Sequence, residues 1–166
     1  MFSNWGMLVN INTEVTEFVE EAKQPSLTKA EYELLALFRY VLRQFLHFSE
    51  EAARAVGLQP QHHQVLLMVK GFPGREWVTI KELAERLQIR HHSAVELVKR
   101  LVAQDLLVRT HAQNDRRQVQ ISLTAHGAEV LEALSAVHKA ELNQLAPQLI
   151  SLLTQLTERP AGGDER

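Results

Sequence analysis

The 166-residue sequence contains no cysteine, which removes disulfides, thiolate metal sites and cysteine-based redox sensing together. Aromatic side chains are sparse at 6%, and Leu, Val and Ala carry most of an apolar content of 45%. That mixture favours helices over a β-sandwich. No apolar run approaches the roughly 18 residues of a membrane span. The N-terminus also lacks the basic stretch and apolar core of a secretory leader, so the expectation is a cytoplasmic protein with no membrane contact. There is no HExxH, no phosphate loop, no dinucleotide fingerprint and no Ser/His/Asp ordering. No catalytic residue, cofactor or metal is therefore expected, and the chain is read as not an enzyme.

A single-signed charge is missing too: the net formal charge is −2. Its distribution is uneven. Between Val78 and Leu123 eight Lys and Arg face five Asp and Glu, a local +3 that leaves −5 for the remainder. A mildly basic module is set in an acidic body.

The length suits one compact domain with extended helical arms. Residues 1–27 read as an N-terminal extension, helical in part, with Val15, Phe18, Val19 and Ala22 on one side of Thr13 to Lys23. Thr28 and Glu31 then form a capping box, in which the hydroxyl accepts from the N3 amide and the carboxylate reaches back to the cap amide. The helix it opens, 28–56, places Leu34, Leu35, Phe38, Val41, Leu42, Phe45 and Leu46 at helical spacing, and Gly57 ends it. Leu37 and Phe48 widen its apolar surface beyond one stripe, so it wants two partners.

Pro60 starts a second helix, which Phe72-Pro73-Gly74 breaks, and Trp77-Val78 suggests a short strand. Thr79 and Glu82 repeat the capping box ahead of TIKELAERL. After the turn Gln88-Ile89-Arg90 comes a helix with Ala94, Leu97, Val98 and Leu101 inward. Leu106 to Thr110 reads as a strand, His111 to Arg117 as a hairpin tip, and Gln118 to Leu123 as a strand with strict alternation. Thr124 caps a long helix through 157, which Pro147 is expected to interrupt, and 158–166 is read as a flexible tail.

Helix, tight turn, helix and hairpin is the order of a winged helix-turn-helix, here spanning 60–123. In such a module the second helix offers its polar face to the major groove. That face would comprise Arg90, His91, His92, Ser93, Glu96, Lys99 and Arg100. At the hairpin tip Asp115, Arg116 and Arg117 suit the minor groove, whose narrow stretches attract guanidinium groups, with Asp115 posed to hold Arg117.

TIKELAERL, the stretch ending ELVKRLVAQDLLVR and the wing NDRRQVQISLTAHG resemble the MarR (multiple antibiotic resistance regulator) family in order, spacing and length. That family's wing carries an Asp-x-Arg pattern, which falls on Asp115 and Arg117. Arg90 departs from it, standing where a small capping residue is common. The resemblance implies a mainly α fold with a small β-hairpin wing, the winged module lying between dimerisation helices at 28–56 and 124–157. It implies a homodimer acting on pseudo-palindromic double-stranded DNA, most simply as a repressor released by a small aromatic or phenolic ligand. From helix placement, that ligand's site would draw on Phe38, Arg39, Arg43, Phe45, His47 and His62.

Eight histidines invite a metal site, but His62-His63 and His91-His92 are adjacent, and neighbours on a helix point about 100° apart. Neither pair chelates alone. The competing readings are a metal-responsive regulator using His and Glu from distant positions, a winged-helix protein–protein adaptor that never touches DNA and, more remotely, a histidine-based hydrolase.

Overall fold

A computed structural model describes residues 27–111 and 118–157. The Thr13 to Lys23 helix, the tail and the wing-tip residues Asp115, Arg116 and Arg117 lie outside the described residues. The described chain runs α1 (Lys29–Ala55), α2 (Pro60–Lys70), α3 (Ile80–Leu87), α4 (His91–Ala103), β1 (Leu107–His111), β2 (Val119–Leu123) and α5 (Ala125–Thr157). It is mainly helical with one antiparallel hairpin, the fold class expected. The hairpin register pairs Leu107 with Leu123 and His111 with Val119. His111 is thus the last residue of a strand rather than the start of the tip. Val78 joins the hairpin's edge through two backbone bonds with Ile121, of 2.9 and 2.8 Å.

Local rules explain the helix ends. Both capping boxes form: Thr28 and Glu31 open α1, and Thr79 and Glu82 open α3. Three helices close with the same pair of backbone bonds, in which a residue in the left-handed region lets the chain fold back on the last turn. At α1 that residue is Gly57 (φ +77). At α3 it is Gln88 (φ 54), followed by Ile89 N–H to the Ala84 carbonyl at 3.0 Å. At α4 it is Asp105 (φ 56), followed by Leu106 N–H to the Leu101 carbonyl at 2.9 Å.

The core lies under the winged module. Leu66, Leu83, Leu101, Leu107 and Ile121 are among its fully buried side chains, with Val65, Val69, Val78 and Val98 around them. Leu131 and Leu134 of α5 join this core and tie the long helix to the module. Truncating any one of the large side chains to alanine costs about 2–5 kcal/mol. Around the hairpin, Ile121 is buried while Val119 and Leu123 are half-buried.

Pro147 does not interrupt the C-terminal helix. α5 runs unbroken across it. The proline deletes one helical hydrogen bond, at a cost of about 3 kcal/mol. Its ring is exposed, and the turns on either side are held by Leu145 and Leu149, half-buried, and Leu152, buried. That packing outweighs the local penalty.

The ends of the chain differ from the core. α1 buries only Val41 and Ala53. Leu35, Leu37, Leu42, Leu46, Tyr32 and Tyr40 stay exposed along it, as do Val137, Leu142, Ile150 and Leu153 along α5.

Candidate nucleic-acid interface

α4 is amphipathic. Ala94, Leu97, Val98 and Leu101 are buried against the module, fixing which side looks outward. Outward lie Arg90, His91, His92, Glu96, Lys99 and Arg100, all exposed, with Ser93 half-buried. From His91 to Arg100 this face extends about 13 Å along the axis. A helix of that length and about 10–12 Å diameter matches the width of a major groove. Arg90 occupies the cap position without a side-chain cap bond; its carbonyl alone accepts from Ser93 and Ala94 N–H, at 2.9 and 3.1 Å.

Within the face, Lys99 Nζ donates to Glu96 Oε1 at 2.6 Å. That bond, with the charges of Lys99, Arg100 and Arg109, holds the Glu96 carboxyl below its ordinary range. Arg109 stands on β1, so the wing's base and α4 share one electrostatic surface. Arg109 and His111, both exposed on β1, were not singled out in the sequence. The cue was available, since the strand alternates Arg109 and His111 with smaller residues next to a basic tip.

α3 braces α4 and is itself clamped. Arg75 lies between the Trp77 ring, 3.8 Å from its guanidinium carbon, and the Phe72 ring at 4.4 Å. It also pairs with Glu82, the capping residue of α3. Burial pushes the Glu82 carboxyl up, but hydrogen bonds from Thr79 and Arg75 together hold it below its usual range. Trp77 therefore packs as a structural residue.

The residues expected at a ligand site separate into two groups. Arg39, Arg43 and His47 are exposed on α1, and Phe38 is half-buried there. Phe45 instead turns its ring edge-on to His138 of α5, with centroids 6.2 Å apart. His62 is buried, and neither ring nitrogen has a hydrogen-bond partner among the described residues. Burial, then the charge of Arg100, lowers its pKa.

The sequence reading missed the cluster beside it. His63 of α2 stacks on His138 at 4.5 Å and 22° between planes, and Phe48 closes the far edge at 6.0 Å. His138 Nδ1 lies 2.6 Å from the Leu134 carbonyl, which can only accept, so Nδ1 carries the proton. Nε2 then accepts from the Ser49 hydroxyl of α1 at 2.7 Å. Burial, then the neighbouring His138, pushes the His63 pKa down to about 4. Among the described residues no group of three or more His, Asp or Glu is placed to hold a metal. No helix among them is long and apolar enough to cross a membrane.

A family model described as MarR family matches residues 56–118, the second helix through the wing. The organic hydroperoxide resistance transcriptional regulator of Bacillus subtilis is 30% identical over 110 residues, covering 60% of this chain and 72% of that one. The transcriptional regulator SarZ of Staphylococcus epidermidis is 32% identical over 69 residues, 42% of this chain and 47% of SarZ, so the chain matches about half the length of that relative. Among solved structures, AbsC of Streptomyces coelicolor superposes with a TM-score of 0.64 at 22% identity, over 80% of this chain and 92% of AbsC. A point mutant of E. coli MarR, solved with operator DNA, gives 0.58 at 20% identity over 81% of this chain and 100% of that one. At these identities the structures speak for the fold, and it is the sequence match that settles kinship: the chain belongs to the MarR family of transcriptional regulators.

Proposed function

We propose that the protein is a cytoplasmic, homodimeric transcription regulator that binds a pseudo-palindromic operator and represses until a small aromatic or phenolic ligand releases it. The observation that carries the reading is α4, an exposed polar face on a helix whose opposite face is locked into the core beside a basic wing strand. Arg90, His91, His92, Ser93, Glu96, Lys99 and Arg100 meet the major groove. At the wing tip Arg116 and Arg117 meet the minor groove and phosphates, with Asp115 holding the Arg117 guanidinium in place. The solved MarR–operator complex supports this reading by fold analogy. Dimerisation rests on the apolar side chains left uncovered along α1 and α5.

The ligand would enter beside α1, with Phe45 and His62 on the side toward α5 and α2 and Phe38, Arg39, Arg43 and His47 as a separate group along α1. A relative carries hydroperoxide resistance in its name. This chain has no cysteine, so a thiolate is not its sensor.

Fluorescence anisotropy with operator and random-sequence duplex at two salt concentrations tests the reading. Affinity should fall steeply as salt rises, because cationic contacts release counterions from phosphate. Arg117→Ala should weaken both duplexes by about 1–3 kcal/mol per half-site, with Asp115→Ala milder. Binding by Arg117→Ala equal to the parent on both would favour the protein–protein adaptor instead.

A further inference from the structure

α4 carries one acidic residue, Glu96, in the middle of its basic, outward face. It does no evident structural work. It lies beyond the first helical turn, where a carboxylate would aid the helix dipole. Its partner is Lys99, an exposed i,i+3 pair with 55% and 56% of the two side chains accessible, which adds little to folding. On a surface built to meet phosphate, a fixed negative charge weakens every non-specific complex. Its position one turn beyond His92 and one turn before Arg100 puts it opposite base edges when the helix lies in the groove.

We propose that Glu96 is a specificity-determining residue: its carboxylate accepts from the N4 amino group of a cytosine in each half-site and repels the acceptor atoms of guanine and thymine at that position. This inference rests on the DNA-binding reading above. In the major groove cytosine offers a donor, whereas guanine offers N7 and O6 and thymine offers O4, all acceptors. A carboxylate accepts and never donates, so it is repelled by guanine and thymine; adenine sets its N6 donor beside the acceptor N7, which leaves cytosine as the base whose donor comes without an acceptor on the same base edge. Lys99 at 2.6 Å is the resident counterion that keeps the carboxylate charged while the face loses water. Arg100 and Arg109 act in the same direction from α4 and from the wing.

The experiment selects duplexes from a randomised pool with the parent protein and, separately, with Glu96→Gln. Both proteins are then titrated against the parent's selected duplex and a random-sequence duplex. The parent should select a fixed cytosine in each half-site, and Glu96→Gln should lose it, shifting to adenine, which glutamine reads through N6 and N7. Glu96→Gln should also bind random duplex about 3- to 10-fold tighter, through the lost repulsion and the released Lys99. The ratio of selected to random affinity should drop by about 10-fold or more. An unchanged melting temperature in Glu96→Gln separates this from a folding defect. Retention of the same cytosine and the same ratio overturns the proposal while leaving DNA binding intact. A parent that selects no duplex and shows no salt-dependent binding overturns both readings.

Discussion

The His63 ring is more than nine-tenths buried and stacks at 4.5 Å on the His138 ring, so a proton taken up by His63 gives up its hydration. His138 is already committed at both nitrogens, to Leu134 and Ser49. His63 is held neutral, its pKa down at about 4 against 6.5 for the ordinary side chain. In the unfolded chain it regains the ordinary value, so between those two pH values the unfolded state binds more protons. Stability contributed by the neutral ring is fully present above pH 6.5 and is lost as pH falls toward about 4. The loss is on the order of 3 kcal/mol. His62, also lowered, acts in the same sense. Urea unfolding at pH 7.5 and at 4.5 measures the drop, and His63→Gln should flatten it; an unchanged slope in that variant would assign the acid sensitivity elsewhere.

Glycine 127 is the other residue on which much depends. An added Cβ would stand 2.1 Å from the Leu106 carbonyl oxygen, a backbone atom with no room to yield. Here the start of α5 is bolted to the end of α4: Thr124 Oγ1 donates to the Asp105 carbonyl at 2.6 Å and caps Gly127 N–H at 2.9 Å. Gly127→Ala should cost about 2–3 kcal/mol by overpacking, seen as a lowered urea midpoint. Full stability in that variant would mean the joint is looser than its geometry indicates.

At the scale of the elements, the helix ends offer a matched pair of tests. Gly57 and Gln88 occupy the same left-handed position at the ends of α1 and α3, but only one is glycine. Gly57→Ala should destabilise by about 1 kcal/mol, and Gln88→Gly should stabilise by a similar or smaller amount. Opposite shifts in melting temperature check both, whereas shifts of the same sign would show that the side chain of Gln88 matters more than its backbone.

Sequence reasoning found the start of α1 and of α3 because a capping box is local chemistry, written in Thr28 and Glu31 and in Thr79 and Glu82. It found the apolar face of α4 because Ala94, Leu97, Val98 and Leu101 keep helical spacing. It misjudged Pro147, where the deciding term is tertiary packing that buries Leu152 a turn further on. It missed the His63–His138 stack for the same reason: the two rings come from helices far apart in the chain, and adjacency to His62 is all that the sequence displays. Long-range contacts of this kind have no local signature.

For the whole molecule, the uncovered apolar residues decide the assembly. Ile150 is 64% exposed and Leu153 46%, on a helix that otherwise tracks the core. On α1, Leu46 is 54% exposed and Tyr40 57%. Isolated apolar side chains on a surface mean little, but here they run along both long helices flanking the module. The proposed two-fold dimer would cover both at once and set two α4 helices at a fixed spacing, so half-sites should lie about 10 bp apart, centre to centre. Ile150→Asp combined with Leu153→Asp should place charges in that interface and shift the protein to monomer at micromolar concentration, as read by sedimentation equilibrium. Because each module alone gives up the benefit of tethered binding, the same variant should lose about 100-fold or more in operator affinity. Its affinity for a single half-site should stay close to that of the parent. A parent chain that sediments as a stable monomer would remove the geometric basis for a palindromic operator.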